Sequence, residues 1–111
     1  MNESAVLDVR TYELVPGGGE AFDRIFRDGA LPMLGRFGID VIGYGPSIAD
    51  KDRYCLVRAF ASPAERAEQL VAFYGSDEWR DKYDDDVMAL IESYHTVVIP
   101  LAALDLRRLD G

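Results

Sequence analysis

Cysteine occurs once in this chain of 111 residues, at Cys55, and histidine once, at His95. A lone cysteine excludes an internal disulfide and the disulfide-held scaffolds of small secreted domains, so a reducing cytoplasm is the expected compartment. Basic residues are scarce: 12 Lys and Arg stand against 20 Asp and Glu, a net charge of −8. Nucleic acid and anionic membrane surfaces both call for basic patches, and neither is expected as a partner. No apolar run approaches the roughly 20 residues of a membrane span. The opening "MNESAVLD" lacks the basic and apolar regions of a secretion signal. Gly17 to Gly19 are followed by no Lys-Ser/Thr and form no GxGxxG, so they are a turn and not a phosphate loop.

Apolar residues are what the chain does have. They make up 49 % of it, enough for one packed domain over 1–111 with its core at about 5–101. A strand is predicted from Ala5 to Leu14, ended by Pro16 and the glycines. Phe22, Ile25, Phe26, Ala30, Met33, Leu34 and Phe37 recur at spacings of three and four. They predict a helix from Gly19 to Arg36, kinked or tightened at Pro32. "IDVIGYGP" (39–46) and "RYCLVRAFA" (53–61) read as a hairpin around the polar "SIADKD". "SPAER" starts a second helix, with Ser62 as N-cap, Pro63 at the first position and Glu65 completing a capping box. "SDEW" restarts it after Gly75, with Trp79, Tyr83, Val87, Leu90 and Ile91 on the inner stripe. "YHTVVIPL" (94–101) is the last strand, and the tail from Ala102 to Gly111 is expected to be short and partly helical or loose. Strand, helix, strand, strand, helix, strand is the ferredoxin-like βαββαβ order, an α+β fold with a four-stranded antiparallel sheet.

Alternation along the strands separates two faces. Leu7, Val9, Thr11, Ile39, Val41, Gly43, Cys55, Val57 and Ala59 are small and mostly apolar, and suit helices packed onto the sheet. Asp8, Arg10, Tyr12, Leu14, Asp40, Ile42, Tyr44, Tyr54, Leu56, Arg58 and Phe60 are larger, aromatic or charged. These are expected on the bare side, where an apolar patch on a soluble protein marks an interface or a ligand site. The expected assembly is a homodimer, sheet against sheet, with a ligand cavity at that face. The face of His95 stays open.

Several segments resemble one family. "LDVRTYELVPG", "GALPMLGRFGIDVIGY", "ASPAERAE" and "SDEW" are similar to the first strand, the first helix end with its following strand, and the second helical region of NIPSNAP proteins, over about residues 6–101. The resemblance implies a dimeric α/β barrel. It also implies a superfamily of small-molecule enzymes that includes cofactor-free monooxygenases, cyclases, isomerases, and aldoxime and haem-dependent enzymes. The chain departs from the family pattern at Leu56 and Arg58, where members often carry His and Trp.

The candidate chemistry lies on the larger face. Arg10 and Arg58, on neighbouring strands, could bind a carboxylate, enolate or phenolate, or Arg10 could instead pair with Asp8 or Asp40 across the dimer. Tyr12 and Tyr44 are candidate hydrogen-bond donors or interface packing. Asp8 is a candidate acid/base, or else it orients Arg10. His95 is a reserve base, weighed against a haem-ligand and a structural role. Leu14, Ile42, Leu56 and Phe60 would wall the pocket. Asp84 to Asp86 read as a solvated face, not a metal site, and Cys55 as an inert thiol under the helices. The expected function is metal-independent proton-transfer chemistry of the isomerase, cyclase or lyase kind, or cofactor-free oxygenation, on a small anionic or aromatic ligand. No cofactor is expected. The alternative is a non-catalytic binding protein that uses the barrel to dimerise.

Overall fold

In a computed structural model, residues 5–103 are described. Strands β1 (Val6–Leu14), β2 (Asp40–Pro46), β3 (Arg53–Phe60) and β4 (Ile91–Pro100) form one antiparallel sheet in the order β2-β3-β1-β4. Helix α1 spans residues 19–36, α2 is Pro63–Tyr74, and α3 spans residues 77–88. A single 3₁₀ turn, Leu101–Ala103, follows β4, and the rest of the tail lies outside the described residues. The topology is the ferredoxin-like one expected from the order of elements. No helix of the described residues is long and apolar enough to cross a membrane.

Local chemistry explains where the helices begin. Ser62 Oγ accepts from the Glu65 amide at 3.1 Å and Ser76 Oγ from the Trp79 amide at 3.1 Å, each satisfying an amide that has no partner within its helix. Helix α1 has no side-chain cap of its own. Asp52, in the β2–β3 turn, reaches across to accept from the Gly17 and Gly19 amides at 2.9 and 3.0 Å. Gly17 turns with φ of 81°, a region open to glycine. A Cβ on Gly19 would stand 2.1 Å from the Lys51 carbonyl oxygen, so glycine is what lets the two loops close on each other.

Pro32 does not simply kink α1. Residues Phe26–Ala30 widen into a π turn, and the Leu31 amide reaches back to the Phe26 carbonyl. A wider turn just ahead of a residue with no amide hydrogen absorbs the missing bond. A second π turn, Arg80–Asp84, interrupts α3. The two meet where Tyr83 lies over Gly29. Ile91, read as the end of a helix, instead begins β4, which starts three residues earlier than its sequence pattern indicated.

On β1 and β3 the faces of the sheet are reversed from the sequence expectation, whereas Ile39, just ahead of β2, and Val41 at its start pack toward the helices as expected. Tyr12, Leu14, Tyr54, Leu56 and Phe60 are buried with Phe22, Phe26, Met33, Leu34, Phe73, Trp79 and Val87 of the helices in one core cluster. Large strand residues are covered because the helices bring large aromatic partners: Phe22 stacks edge-on to Tyr54 at 4.9 Å and Phe26 lies 5.0 Å from Tyr44. The uncovered face carries Val9, Thr11, Cys55, Val57, His95 and Val97. Cys55 therefore does not lie under the helices. A register shift between Val41 and Gly43 turns Ile42 outward, 56 % exposed, so it is not a pocket wall.

Candidate functional site

Asp8 and Arg58 are directly opposite each other on β1 and β3. Both are buried completely, and Arg58 Nη2 donates to Asp8 Oδ1 at 3.0 Å. Arg66, from α2, donates through Nε to Asp8 Oδ2 at 2.7 Å. Both carboxylate oxygens are thus held by arginine. These contacts offset the cost of taking the Asp8 and Arg58 charges out of water. Burial works against the charge of Arg58, but Tyr74 and Asp8 more than offset it and hold its pKa above the ordinary value.

Arg10 is different. Its Nε donates to Thr96 Oγ1 at 2.8 Å, its Nη1 stands 3.5 Å from the Tyr74 hydroxyl, and its guanidinium lies 4.8 Å from the centre of the Tyr94 ring. These contacts position the group through hydrogen bonds to two hydroxyls, the one to Tyr74 long, and a cation–π contact. None is a carboxylate, and among the described residues Arg10 has no acidic partner. Arg58 and Arg66 share the Asp8 carboxylate, and Arg10 meets Arg58 only at the Tyr74 hydroxyl.

An open-mouthed cavity of about 390 Å³ lies beside Arg10, lined by Tyr12, Leu70, Tyr74, Trp79, Asp84 and Tyr94 among others. Its size falls within the roughly 300–1,000 Å³ of small-molecule sites. Behind it a small void of about 30 Å³ is lined by apolar groups including Leu56, Phe26 and Phe73, and shares Tyr12, Tyr74 and Trp79 with the cavity. Burial pushes the Tyr12 hydroxyl up to about 12, with Tyr74 adding to the rise and Arg10 and Arg58 opposing it. Tyr12 is therefore a neutral donor at physiological pH. The π turn in α3 sets Asp84 over Trp79, whose Nε1 donates to Asp84 Oδ1 at 3.2 Å. Asp84 Oδ2 has no partner among the described residues, and Asp84 is half-buried while Asp85 and Asp86 are exposed.

Of the residues named from the sequence, Arg10 and Tyr12 line this cavity. Leu56 lines the void behind it, and Asp8 and Arg58 stand in the supporting layer. Leu14 and Phe60 belong to the core, and Tyr44 sits at the sheet edge against Phe26, 42 % exposed. Arg10, Tyr12, Leu14, Leu56 and Phe60, expected on the bare face, lie under the helices instead. His95 pairs with Thr11 on the opposite face. No histidine lines the cavity, so His95 supplies neither a base nor a haem ligand to it. Tyr74, Arg66, Trp79 and Asp84 were not singled out as site residues. Asp84 lies five residues after Trp79, a spacing that converges only on a π turn, and a 3.6-residue periodicity does not signal it.

Helices on one face of a four-stranded antiparallel sheet in the order β2-β3-β1-β4 define a ferredoxin-like α+β domain. The chain belongs to the NIPSNAP family, whose model matches residues 7–104. Among solved structures, an uncharacterized NIPSNAP-like domain protein from Burkholderia xenovorans superposes with a TM-score of 0.82 at 15 % identity, covering 93 % of this chain and 90 % of that one. A NIPSNAP family protein of unknown function from Agrobacterium tumefaciens gives 0.79 at 20 % identity, covering 90 % of each chain. A protein of Nitrosomonas europaea named as a candidate antibiotic biosynthesis monooxygenase gives 0.67 at 14 % identity, covering 90 % of this chain and 92 % of that one. At these identities the likeness is one of fold. No curated protein matches the chain in sequence.

Proposed function

We propose that the chain is a small-molecule enzyme that moves a proton on a ligand held in the cavity beside Arg10. One observation carries this: a half-buried guanidinium without an acidic partner faces a cavity of about 390 Å³ that also holds a carboxylate, Asp84. Arg10 would bind an oxygen that is anionic or becomes so. Asp84 would take the proton through its open Oδ2, while the Tyr12 hydroxyl donates a hydrogen bond. An acid/base group opposite oxyanion donors is the arrangement that isomerisation, cyclisation and elimination next to a carbonyl require.

The test is hydrogen exchange in D2O. A panel of enolisable ketones and keto acids is incubated with the protein and the loss of the α-hydrogen signal is followed by NMR. Wild type is expected to accelerate exchange of at least one compound, and Asp84→Asn to abolish the acceleration while binding persists. Binding without exchange in the wild type would favour the non-catalytic alternative.

A second copy of the chain is the proposed cover for the other sheet face, where Val9, Val57 and Val97 form an apolar strip and Val97 is 59 % exposed. A cytoplasmic setting fits the free thiol of Cys55.

A further inference from the structure

The Tyr74 hydroxyl lies between two guanidiniums. It accepts from Arg58 Nη1 at 3.1 Å and, at longer range, from Arg10 Nη1 at 3.5 Å. A guanidinium only donates, so both contacts use the lone pairs of the phenol oxygen and leave its own hydrogen unassigned. Among the described residues no group accepts that hydrogen. The ring is held edge-on to Trp79 at 5.1 Å and to Phe73 at 4.8 Å, and it borders both the cavity and the void behind it. Arg58 is itself fixed by Asp8, and Asp8 by Arg66, so the geometry at Tyr74 is supported by a chain of paired charges, of which Arg58 and Asp8 are buried.

We propose that Tyr74 is the proton donor of the site and that its partner is the oxygen of an enolisable carbonyl compound. This deepens the proton-transfer function above and rests on it. Asp84 Oδ2 takes a hydrogen from the carbon next to the carbonyl. The electrons of that C–H bond form a C=C bond, the C=O π pair moves onto oxygen, and the oxygen takes the Tyr74 proton. Arg10 and Arg58 hold the tyrosinate that remains. In a β,γ-unsaturated carbonyl compound the enol so formed is a dienol: its O–H proton returns to Tyr74 as the C=O re-forms, the C=C moves between the α and β carbons, and the γ carbon takes the Asp84 proton, which completes an isomerisation. No oxidant or second reactant is consumed.

The probe is 4-nitrophenol, a stand-in for the enolate whose visible absorbance reports its own ionisation. It is titrated into wild type, Tyr74→Phe, Arg10→Gln and a protein carrying 3-fluorotyrosine at position 74. Fluorotyrosine keeps the hydroxyl and both arginine contacts while being a stronger donor, so the test survives if Tyr74→Phe does not fold. Losing a donor to a charged oxygen is expected to weaken phenolate binding about 10- to 100-fold in Tyr74→Phe. Fluorotyrosine is expected to tighten binding and shift the bound spectrum. If the Tyr74 proteins match wild type in affinity and spectrum while Arg10→Gln loses binding, Tyr74 is structural and the proposal fails with the site intact. If wild type itself takes up no probe, the proposal and the function beneath it fall together.

Discussion

Asp8 and Arg58 sit opposite each other across β1 and β3, joined at 3.0 Å, with neither side chain reaching solvent. The consequences of breaking the pair are unequal. Asp8→Ala leaves a buried arginine with no carboxylate, a change expected to cost about 3–5 kcal/mol. Arg58→Met leaves Asp8 still bonded to Arg66 at 2.7 Å and removes a buried Nε that has no partner. Its cost is expected to be roughly half as large or less. Urea unfolding of the two variants checks the asymmetry, and equal losses would contradict it.

Gly29 is the contact point of the two π turns. A Cβ there would lie 2.4 Å from Tyr83 Cε1. Gly29→Ala is therefore expected to destabilise by about 1–3 kcal/mol despite alanine's better helix propensity. In a Tyr83→Ala background the same substitution should become neutral or stabilising, because the obstruction is gone. A cost that stays the same in both backgrounds would show that the ring is not the cause.

Strong alkali should unfold the protein partly through Tyr12. Its pKa is raised from 10.0 to about 12, so between those values the folded chain keeps a proton that the unfolded chain has lost. Stability that is complete below about pH 10 then falls as pH rises toward 12. Tyr54, raised by burial and by its hydrogen bond to Asp23, adds to the same slope. Tyr12→Phe is expected to flatten the fall in unfolding free energy over this window, measured by denaturant titration at stepped pH. An unchanged slope would count against the burial of that hydroxyl.

Much of the fold was legible because its signals are local. Ser62 caps the helix that its sequence announces, Ser76 rather than Asp77 caps the next, and the turn at Pro16 to Gly19 falls where it was expected. The faces were not legible for a reason of register. Asp8 and Arg58 each look like a residue that needs water or a ligand, and only their placement as direct cross-strand partners lets both be buried. Alternation put Arg10 and Tyr12 together on one face of β1, and they do line one cavity, but on the helix-covered side and not the bare one. Asp84 was not, because a widened turn, invisible in the periodicity, swings it over Trp79.

The uncovered face supplies a prediction about assembly. Val9 of β1 lies between its direct partners, Val57 of β3 and Val97 of β4. If a second copy covers them, sedimentation at micromolar concentration should give a dimer, and Val97→Asp should give a folded monomer. A monomeric wild type would remove the dimer from the picture while leaving the cavity under the helices untouched.

The most direct test of the site is a crystal structure of the protein soaked with 4-nitrophenol. The ligand oxygen is expected within about 3.2 Å of an Arg10 nitrogen, with the ring lying among Leu70, Trp79 and Tyr94. A ligand bound instead on the opposite face, near His95 and Cys55, would contradict the assignment of Arg10 as the anion anchor.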